Sequence, residues 1–190
     1  MPKKKRIWYP GAMYHIMSRG NRKQELFKNQ IDYQYYLNIL KLVKVDYPFS
    51  LSSYCLMKNH VHLQIKTREI EIWKIMRQIN LYYAKYFNKK YNLVGHVFQG
   101  RYKSKLIVDA AYDIGLSRYI HLNPVVAKLV SSPEKYKWSS YNIYMGQIND
   151  ELVDVDNILA YYKLKDPVSR YKNYCESNIK GNESGKFDYW

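Results

Sequence analysis

The feature that most constrains the fold of this chain is a pair of histidines, His60 and His62, inside an apolar run typical of a β-strand. Successive side chains of a strand point to opposite faces, so both imidazoles project from one face, with Cα atoms about 6–7 Å apart. That spacing allows two histidines to bind one ion. The run has an apolar and a polar face, formed respectively by Val61, Leu63 and Ile65 and by His60, His62, Gln64 and Lys66.

The charge and the aromatic content indicate the kind of partner. The 190 residues include 31 Lys and Arg against 16 Asp and Glu, a formal net charge of +15. Such an excess is typical of proteins that bind a polyanion, although a basic, solvated surface would give the same balance. The chain also has 22 tyrosines against 5 phenylalanines. Unpaired bases stack on aromatic side chains at about 1–3 kcal/mol each, so the composition favours single-stranded or hairpin nucleic acid.

Cysteine content and hydropathy narrow the cellular setting. Cys55 and Cys175 are too few and too far apart for a disulfide framework, which favours reduced thiols and a cytoplasmic location. No apolar run reaches the roughly 18–20 residues of a membrane span, so we expect no membrane partner. The length favours one domain, which we predict over residues 1–147, followed by a helical or flexible C-terminal tail over 148–190.

The hydrophobic periodicity predicts the element order β-α-β-β-α-β-α. The expected ranges are a strand at 12–18, a helix at 30–46, a hairpin of 49–57 with 60–66, a helix at 69–89 and a strand within 95–108. The first helix has Ile31, Tyr35, Leu42 and Val45 among its apolar positions. This order predicts an α+β fold, in which two helices cover one face of an antiparallel sheet and the other face is open.

A third helix is expected to begin after Asp109, a good N-cap, and to end near Asn123, because Pro124 disfavours the helical conformation before it. Further along, short helices are expected at 154–163 and 167–177, and residues 178–185 are polar. The third helix has one stripe of residues at helical spacing, Tyr112, Leu116, Tyr119 and Asn123. If the stripe crosses the polar face of the histidine strand, Asn123 can be a third metal ligand with the Tyr119 phenol beside the ion. A stripe that only packs against the sheet would look the same.

Five segments in order carry a family resemblance. They are Tyr14–Asn21, Met57–His62, Gly95–Tyr102, Arg118–Val125 and Lys137–Tyr141. Over about residues 8–145 the chain resembles the single-tyrosine HUH transposases, most closely their REP-associated branch. The resemblance implies a four- to five-stranded ferredoxin-like or RRM-like sheet with the catalytic helix at the active-site face.

The same resemblance implies a reaction and a set of residues. The reaction is metal-dependent nicking and rejoining of single-stranded DNA at hairpin-flanked sites, with Tyr119 as the nucleophile of a 5′-phosphotyrosine intermediate. His60 and His62 would bind Mg²⁺ or Mn²⁺, with Asn123 completing the site and Gln64 as a rival ligand. The expected DNA contacts are Arg19, Asn21, Arg101, Lys103 and Arg118. No small-molecule cofactor is implied, and the resemblance leaves open whether the chain forms a homodimer.

The remaining histidines and two departures from the family bear on the details. His15 and His96 match family segments and are interpreted as structural or DNA-facing, whereas His121 points away from the Tyr119 stripe and is expected at the surface. Relatives commonly have an arginine and a glycine where this chain has Val126 and Lys128. The resemblance therefore does not imply the corresponding DNA contact or helix-end geometry for this chain.

Two other functions compete with this interpretation. A transposase-derived protein could bind hairpin DNA or RNA without cutting it, and its charge and tyrosine content would be the same. The set of His60, His62 and Tyr119 argues against such a protein, because a binding protein does not need all three. A structural zinc site could use His60, His62 and Cys55, but such sites normally have four ligands and only one thiol is available here.

Overall fold

A computed structural model of the chain describes residues 7–162 and 165–177. Its strands are β1 (Met13–Arg19), β2 (Phe49–Met57), β3 (His60–Thr67) and β4 (Lys103–Ile107). Its helices are α1 (Gln30–Asp46), α2 (Ile72–Tyr91), α3 (Ala110–Val126), α4 (Tyr141–Tyr144), α5 (Asp156–Leu159) and α6 (Pro167–Glu176). None of the helices in these two ranges is both long and apolar enough to cross a membrane.

The four strands form one antiparallel sheet in the order β2-β3-β1-β4. This is the order of a ferredoxin-like fold, since α1 carries the chain from β1 past the later β3 to β2. The predicted α+β class and antiparallel sheet are therefore confirmed, with four strands. β3 lies between β1 and β2, and His62 is opposite Met17 on one side and Cys55 on the other.

The apolar face of β3 packs beneath α1 and α2. Val61, Leu63 and Ile65 are fully buried in this core. The apolar positions named for α1 do not belong to it, because Ile31 and Val45 are 65% and 75% exposed. The buried face of α1 is formed instead by Asp32, Tyr36, Leu37, Ile39, Leu40 and Val43. A capping box at Asn29 starts this helix.

The opposite face of the sheet carries α3. Its side chains form a second, smaller core with the strands that includes Cys55, Met57, Ile107, Leu116 and Ile120. The stripe predicted from helical spacing therefore lies against the histidine face of the sheet. The burial of Leu116 and Ile120 fixes the rotation of α3 and hence the direction in which its polar residues point.

The end of α3 differs from the prediction, because Pro124 lies inside the helix, which runs to Val126. A proline removes one backbone donor, which leaves one carbonyl of the preceding turn without its helical partner. The last carbonyls of the helix can still be satisfied by the residues that follow it. The N–H of Lys128 donates to Val125 and that of Leu129 donates to Pro124, which is a Schellman motif. In this motif Lys128 adopts φ +57°, the left-handed conformation that favours glycine.

Described residues after 147 pack into the same core as the rest of the chain. The two short helices expected there are present as α5 and α6, and Ile158, Tyr171 and Cys175 are buried in the main core. The division into a domain at 1–147 and a tail at 148–190 stays a prediction. The polar segment 178–185 lies outside the described residues.

Candidate active site

The two strand histidines stand together at the start of β3. Their ring centroids are 4.9 Å apart and the rings are nearly perpendicular. His62 is buried under α3, whereas His60 is partly exposed at the strand end. Because the residues alternate along the strand, both rings lie on the α3 face, as the sequence predicts.

Asn59 fixes the orientation of His60. Nδ1 of His60 is 2.7 Å from Oδ1 of Asn59, and the Asn59 amide nitrogen donates to the carbonyl of Lys23. An amide oxygen only accepts, so Nδ1 of His60 carries the proton. Nε2 of His60 is then the nitrogen with the lone pair, which is what a metal requires.

His15, a buried histidine on β1, fixes the orientation of His62. Nε2 of His15 lies 3.0 Å from Nδ1 of His62, and the amide nitrogen of Asn123 lies 3.4 Å from Nε2 of His62. Asn123 donates to Nε2, so Nδ1 of His62 carries the proton and donates to His15. Both strand histidines thus have Nδ1 committed to a protein acceptor, and each presents Nε2 as its basic nitrogen.

Burial keeps the imidazoles of His62 and His15 neutral. It lowers the pKa of His62 well below its usual range, and the neighbouring rings of His60 and His15 act in the same direction. Burial, with a smaller effect of Lys105, lowers the pKa of His15 to about 3. A neutral imidazole is the form that can bind a cation, so the electrostatics agree with the hydrogen bonding.

Helix α3 brings a phenol to the histidines. The ring of Tyr119 lies 5.5 Å from that of His62, nearly perpendicular to it, and 6.1 Å from that of His15. Asn123 is one turn further along the same helix face. The side chain of Asp109 caps the helix by accepting from the N–H of Tyr112 at 2.7 Å. The helix therefore places Tyr119 and Asn123 together beside His62.

The two alternative metal ligands, Gln64 and Cys55, lie in surroundings that disfavour metal binding. The Gln64 amide accepts from Ser53 at 2.6 Å and donates to the carbonyl and carboxylate of Asp113. Cys55 is buried, and burial raises the pKa of its thiol well above the ordinary value, so a thiolate ligand is disfavoured. Within residues 7–162 and 165–177, no three His, Cys, Asp or Glu side chains could hold a metal. The zinc alternative thus gains no support.

The predicted DNA contacts fall into two groups. Arg19 ends β1 opposite His60, and Asn21 follows shortly after it. Lys103 begins β4 opposite Met17, and the nearby Arg101 is exposed. These four residues therefore lie along one end of the central strands. Arg118 is different, because its guanidinium donates to the carbonyls of Tyr174 and Ser177 at 2.8 and 2.6 Å. That arginine is engaged with the C-terminal helix.

His121 is not at the surface, and the prediction for it was wrong. It is fully buried between α3, α4 and α6, with Nδ1 2.7 Å from the Tyr171 hydroxyl and Nε2 2.7 Å from Oγ of Ser140. The residue points away from Tyr119 as expected, but α6 covers that side of α3. The weak periodicity after residue 147 gave no signal for this packing.

The comparison with protein families gives the class of this protein, which is a transposase. The model described as an IS200-like transposase matches residues 9–123, more than half of the chain. The protein therefore belongs to the IS200-like transposase family. A search of curated proteins finds no match.

Two solved structures are similar to this chain. One, a REP-associated tyrosine transposase bound to a REP hairpin, has a TM-score of 0.66 and 20% identity, covering 81% of this chain and 94% of that one. The other, a Deinococcus radiodurans R1 protein assigned as a transposase, has a TM-score of 0.44 and 14% identity, covering 58% and 89%. The first likeness shows a shared fold.

Proposed function

We propose that this chain is a metal-dependent transposase that nicks and rejoins single-stranded DNA at hairpin-flanked sites, forming a 5′-phosphotyrosine at Tyr119. The observation that carries the proposal is the position of the Tyr119 ring, 5.5 Å from His62, next to two imidazoles that both present Nε2. Family membership supports DNA transposition as the overall process.

The donor set fits a divalent ion. His60 and His62 would supply Nε2, and Asn123 would supply Oδ1 in an orientation where the amide oxygen replaces the nitrogen that now lies beside His62. Imidazole suits the softer divalent ions, so Mn²⁺ should support activity at least as well as Mg²⁺. Such an ion, when bound, would polarise the scissile phosphate and favour loss of the phenol proton.

The protein side chains carry the transfer itself. Tyr119 Oη attacks the phosphorus in line and loses its proton, while the bond from phosphorus to the 3′-oxygen breaks and that oxygen takes up a proton. One phosphodiester replaces another, so no external energy is needed. Attack by a second 3′-hydroxyl reverses the step, restores the Tyr119 phenol and joins new strands.

The basic end of the sheet supports DNA as the substrate. Arg19, Asn21, Arg101 and Lys103 lie at the β1–β4 end beside His60 and are proposed to bind the DNA backbone, consistent with the net charge of +15. The structurally similar transposase bound to a REP hairpin supports a hairpin as the DNA form. Arg118 is proposed instead to hold α6 against α3, since its donors are used there.

An adduct assay tests this function and separates it from binding without cleavage. Hairpin DNA with a single-stranded flank is labelled at its 3′ or its 5′ end and incubated with the protein and Mn²⁺. A 5′-phosphotyrosine joins the protein to the downstream fragment, so a denaturation-resistant adduct should carry the 3′ label and not the 5′ label. Hairpin binding with no adduct under either label would identify a non-catalytic binding protein.

A further inference from the structure

A buried group of hydrogen bonds joins α3 to β3 beside the candidate active site. Gln64 follows His62 by two positions, so its amide lies on the same face of β3. The amide nitrogen donates to the carbonyl oxygen of Asp113 at 2.9 Å and to its carboxylate at 2.6 Å. The amide oxygen accepts from the Ser53 hydroxyl at 2.6 Å. Gln64, Asp113 and Ser53 are all almost completely buried.

The partners of these groups leave little freedom to rearrange. A side-chain amide has two N–H donors, and Asp113 uses both donors of Gln64. The second carboxylate oxygen of Asp113 accepts from the Tyr161 hydroxyl at 3.2 Å. A buried polar group that loses its partner is costly, so another arrangement of the same groups is disfavoured. The connection between β3 and α3 at this place is therefore well defined.

Side chains of α3 and β3 meet through hydrogen bonds at two places. At the active site, Asn123 lies 3.4 Å from His62, which is long for a hydrogen bond. Asp113 is about ten residues earlier, or about 15 Å along the helix, and has the shorter bonds. The burial of Leu116 and Ile120 fixes the rotation of α3, but apolar contacts are not directional and allow small shifts along its axis. The bonds of Asp113 are therefore the ones that resist such shifts.

We propose that Gln64 and Asp113 are positioning residues, whose hydrogen bonds hold α3 at the place along β3 where the Tyr119 phenol lies beside His62. The proposal rests on the proposed function, because it assigns a role in the transfer to residues that touch neither the DNA nor a metal. A displacement of about 1 Å in a reacting group can lower a rate by about 100-fold. Hydrogen bonds remote from the phenol therefore have a large effect on the rate if they determine where it lies.

The test breaks the connection and then restores it with donor and acceptor exchanged. Gln64→Met has a side chain of similar length but no N–H, so it removes both bonds to Asp113. The second variant, called the swapped pair, combines Gln64→Glu with Asp113→Asn. In the swapped pair the new carboxylate accepts from the new amide and still accepts from Ser53.

The rate of adduct formation in a single turnover, at saturating hairpin DNA and Mn²⁺, measures the effect on the transfer. The dissociation constant of the hairpin is measured separately, because a positioning role affects the rate and not the binding. We expect Gln64→Met to slow adduct formation by about 10- to 100-fold with hairpin affinity nearly unchanged. The swapped pair should recover most of the wild-type rate.

The matched control is Tyr161→Phe. It removes a hydrogen bond to the same carboxylate but leaves the bonds between Gln64 and Asp113 in place. The free energy of unfolding is measured in urea for every variant. Tyr161→Phe should be less stable than the wild type and form the adduct at the wild-type rate. The control thus separates a loss of stability from a loss of position.

A fluorine probe reports the position of the phenol without DNA. A monofluorinated tyrosine is incorporated at position 119 alone, and its fluorine NMR signal in the free protein depends on the surroundings of the ring. Gln64→Met should shift or broaden this signal. Tyr161→Phe and the swapped pair should keep the signal of the wild type.

The outcomes distinguish the positioning role from the function on which it rests. A wild-type rate in Gln64→Met, or a folded swapped pair that is as slow as Gln64→Met, overturns the positioning role and leaves the proposed function intact. A wild-type protein that forms no adduct overturns the proposed function. The fluorine signal then decides whether the bonds position Tyr119, because an unchanged signal in Gln64→Met contradicts that role and a shifted one supports it.

Discussion

His15 on β1 and His62 on β3 form a buried hydrogen bond of 3.0 Å between Nε2 and Nδ1. The two rings lie nearly parallel, with centroids 5.3 Å apart. Because the proton lies on His62 Nδ1, the opposite nitrogen, Nε2, keeps the lone pair that accepts from Asn123 and that a metal would need. A residue that cannot reach the substrate thus sets which nitrogen of His62 can bind a metal.

The first prediction concerns His15. His15→Leu removes the acceptor but fills a similar volume, so we expect Mn²⁺ affinity to fall about 10- to 100-fold. His15→Gln has an oxygen that can accept the same proton and should retain most of the affinity. Electron paramagnetic resonance of free Mn²⁺ measures both, with hairpin binding in chelator as the test of folding. If His15→Leu binds Mn²⁺ with wild-type affinity, His15 does not set the metal-binding nitrogen of His62.

The second prediction concerns Lys128. Its φ of +57° costs a non-glycine residue about 1 kcal/mol. Lys128→Gly should therefore increase the free energy of unfolding by about that amount, measured by urea denaturation. Ala127→Gly is the control, because Ala127 has φ −74° and glycine there should lower stability. A Lys128→Gly protein less stable than the wild type would mean that this lysine contributes contacts that outweigh the backbone strain.

The third prediction concerns pH and His121. Burial lowers the pKa of His121 to about 3 from the ordinary 6.5, so the unfolded chain takes up a proton before the folded protein does. Stability from this residue is complete above pH 6.5 and is lost as the pH falls toward 3, by about 1.4 kcal/mol per pH unit. In urea denaturation between pH 6.5 and 4, His121→Gln should lose less stability per pH unit than the wild type. Equal slopes for the two proteins would count against a neutral, buried His121.

Much of the site could be predicted because it depends on local periodicity. The period of two along β3 determines that His60 and His62 share a face, and the period of 3.6 along α3 places Tyr119 with Asn123. The order of strands and helices was enough to predict an antiparallel sheet with α1 and α2 on one face. None of these inferences needed a contact between distant segments.

The residues that were missed depend on such distant contacts. His15 meets His62 only through the register of β1 with β3, and the burial of His121 depends on Tyr171, 50 residues further along the chain. On α1, the apolar Ile31 and Val45 have the spacing of a core stripe, yet Tyr36 and Leu40 are the residues that pack inward. Periodicity gives the existence of a stripe, but tertiary packing decides which face is buried.

We propose Tyr119 as the nucleophile, and removal of its hydroxyl tests this role most directly. Tyr119→Phe keeps the ring beside His62 and removes only the hydroxyl, so folding and hairpin binding should be nearly unchanged. Tyr112→Phe is the control, because Tyr112 is two turns earlier on the same helix and is largely buried beneath Lys105.

The measurement is the amount of 3′-labelled DNA that stays attached to the protein after denaturation, with Mn²⁺ present. We expect an adduct for the wild type and for Tyr112→Phe, and none for Tyr119→Phe. An adduct that persists in Tyr119→Phe at the wild-type level would contradict the assignment of Tyr119.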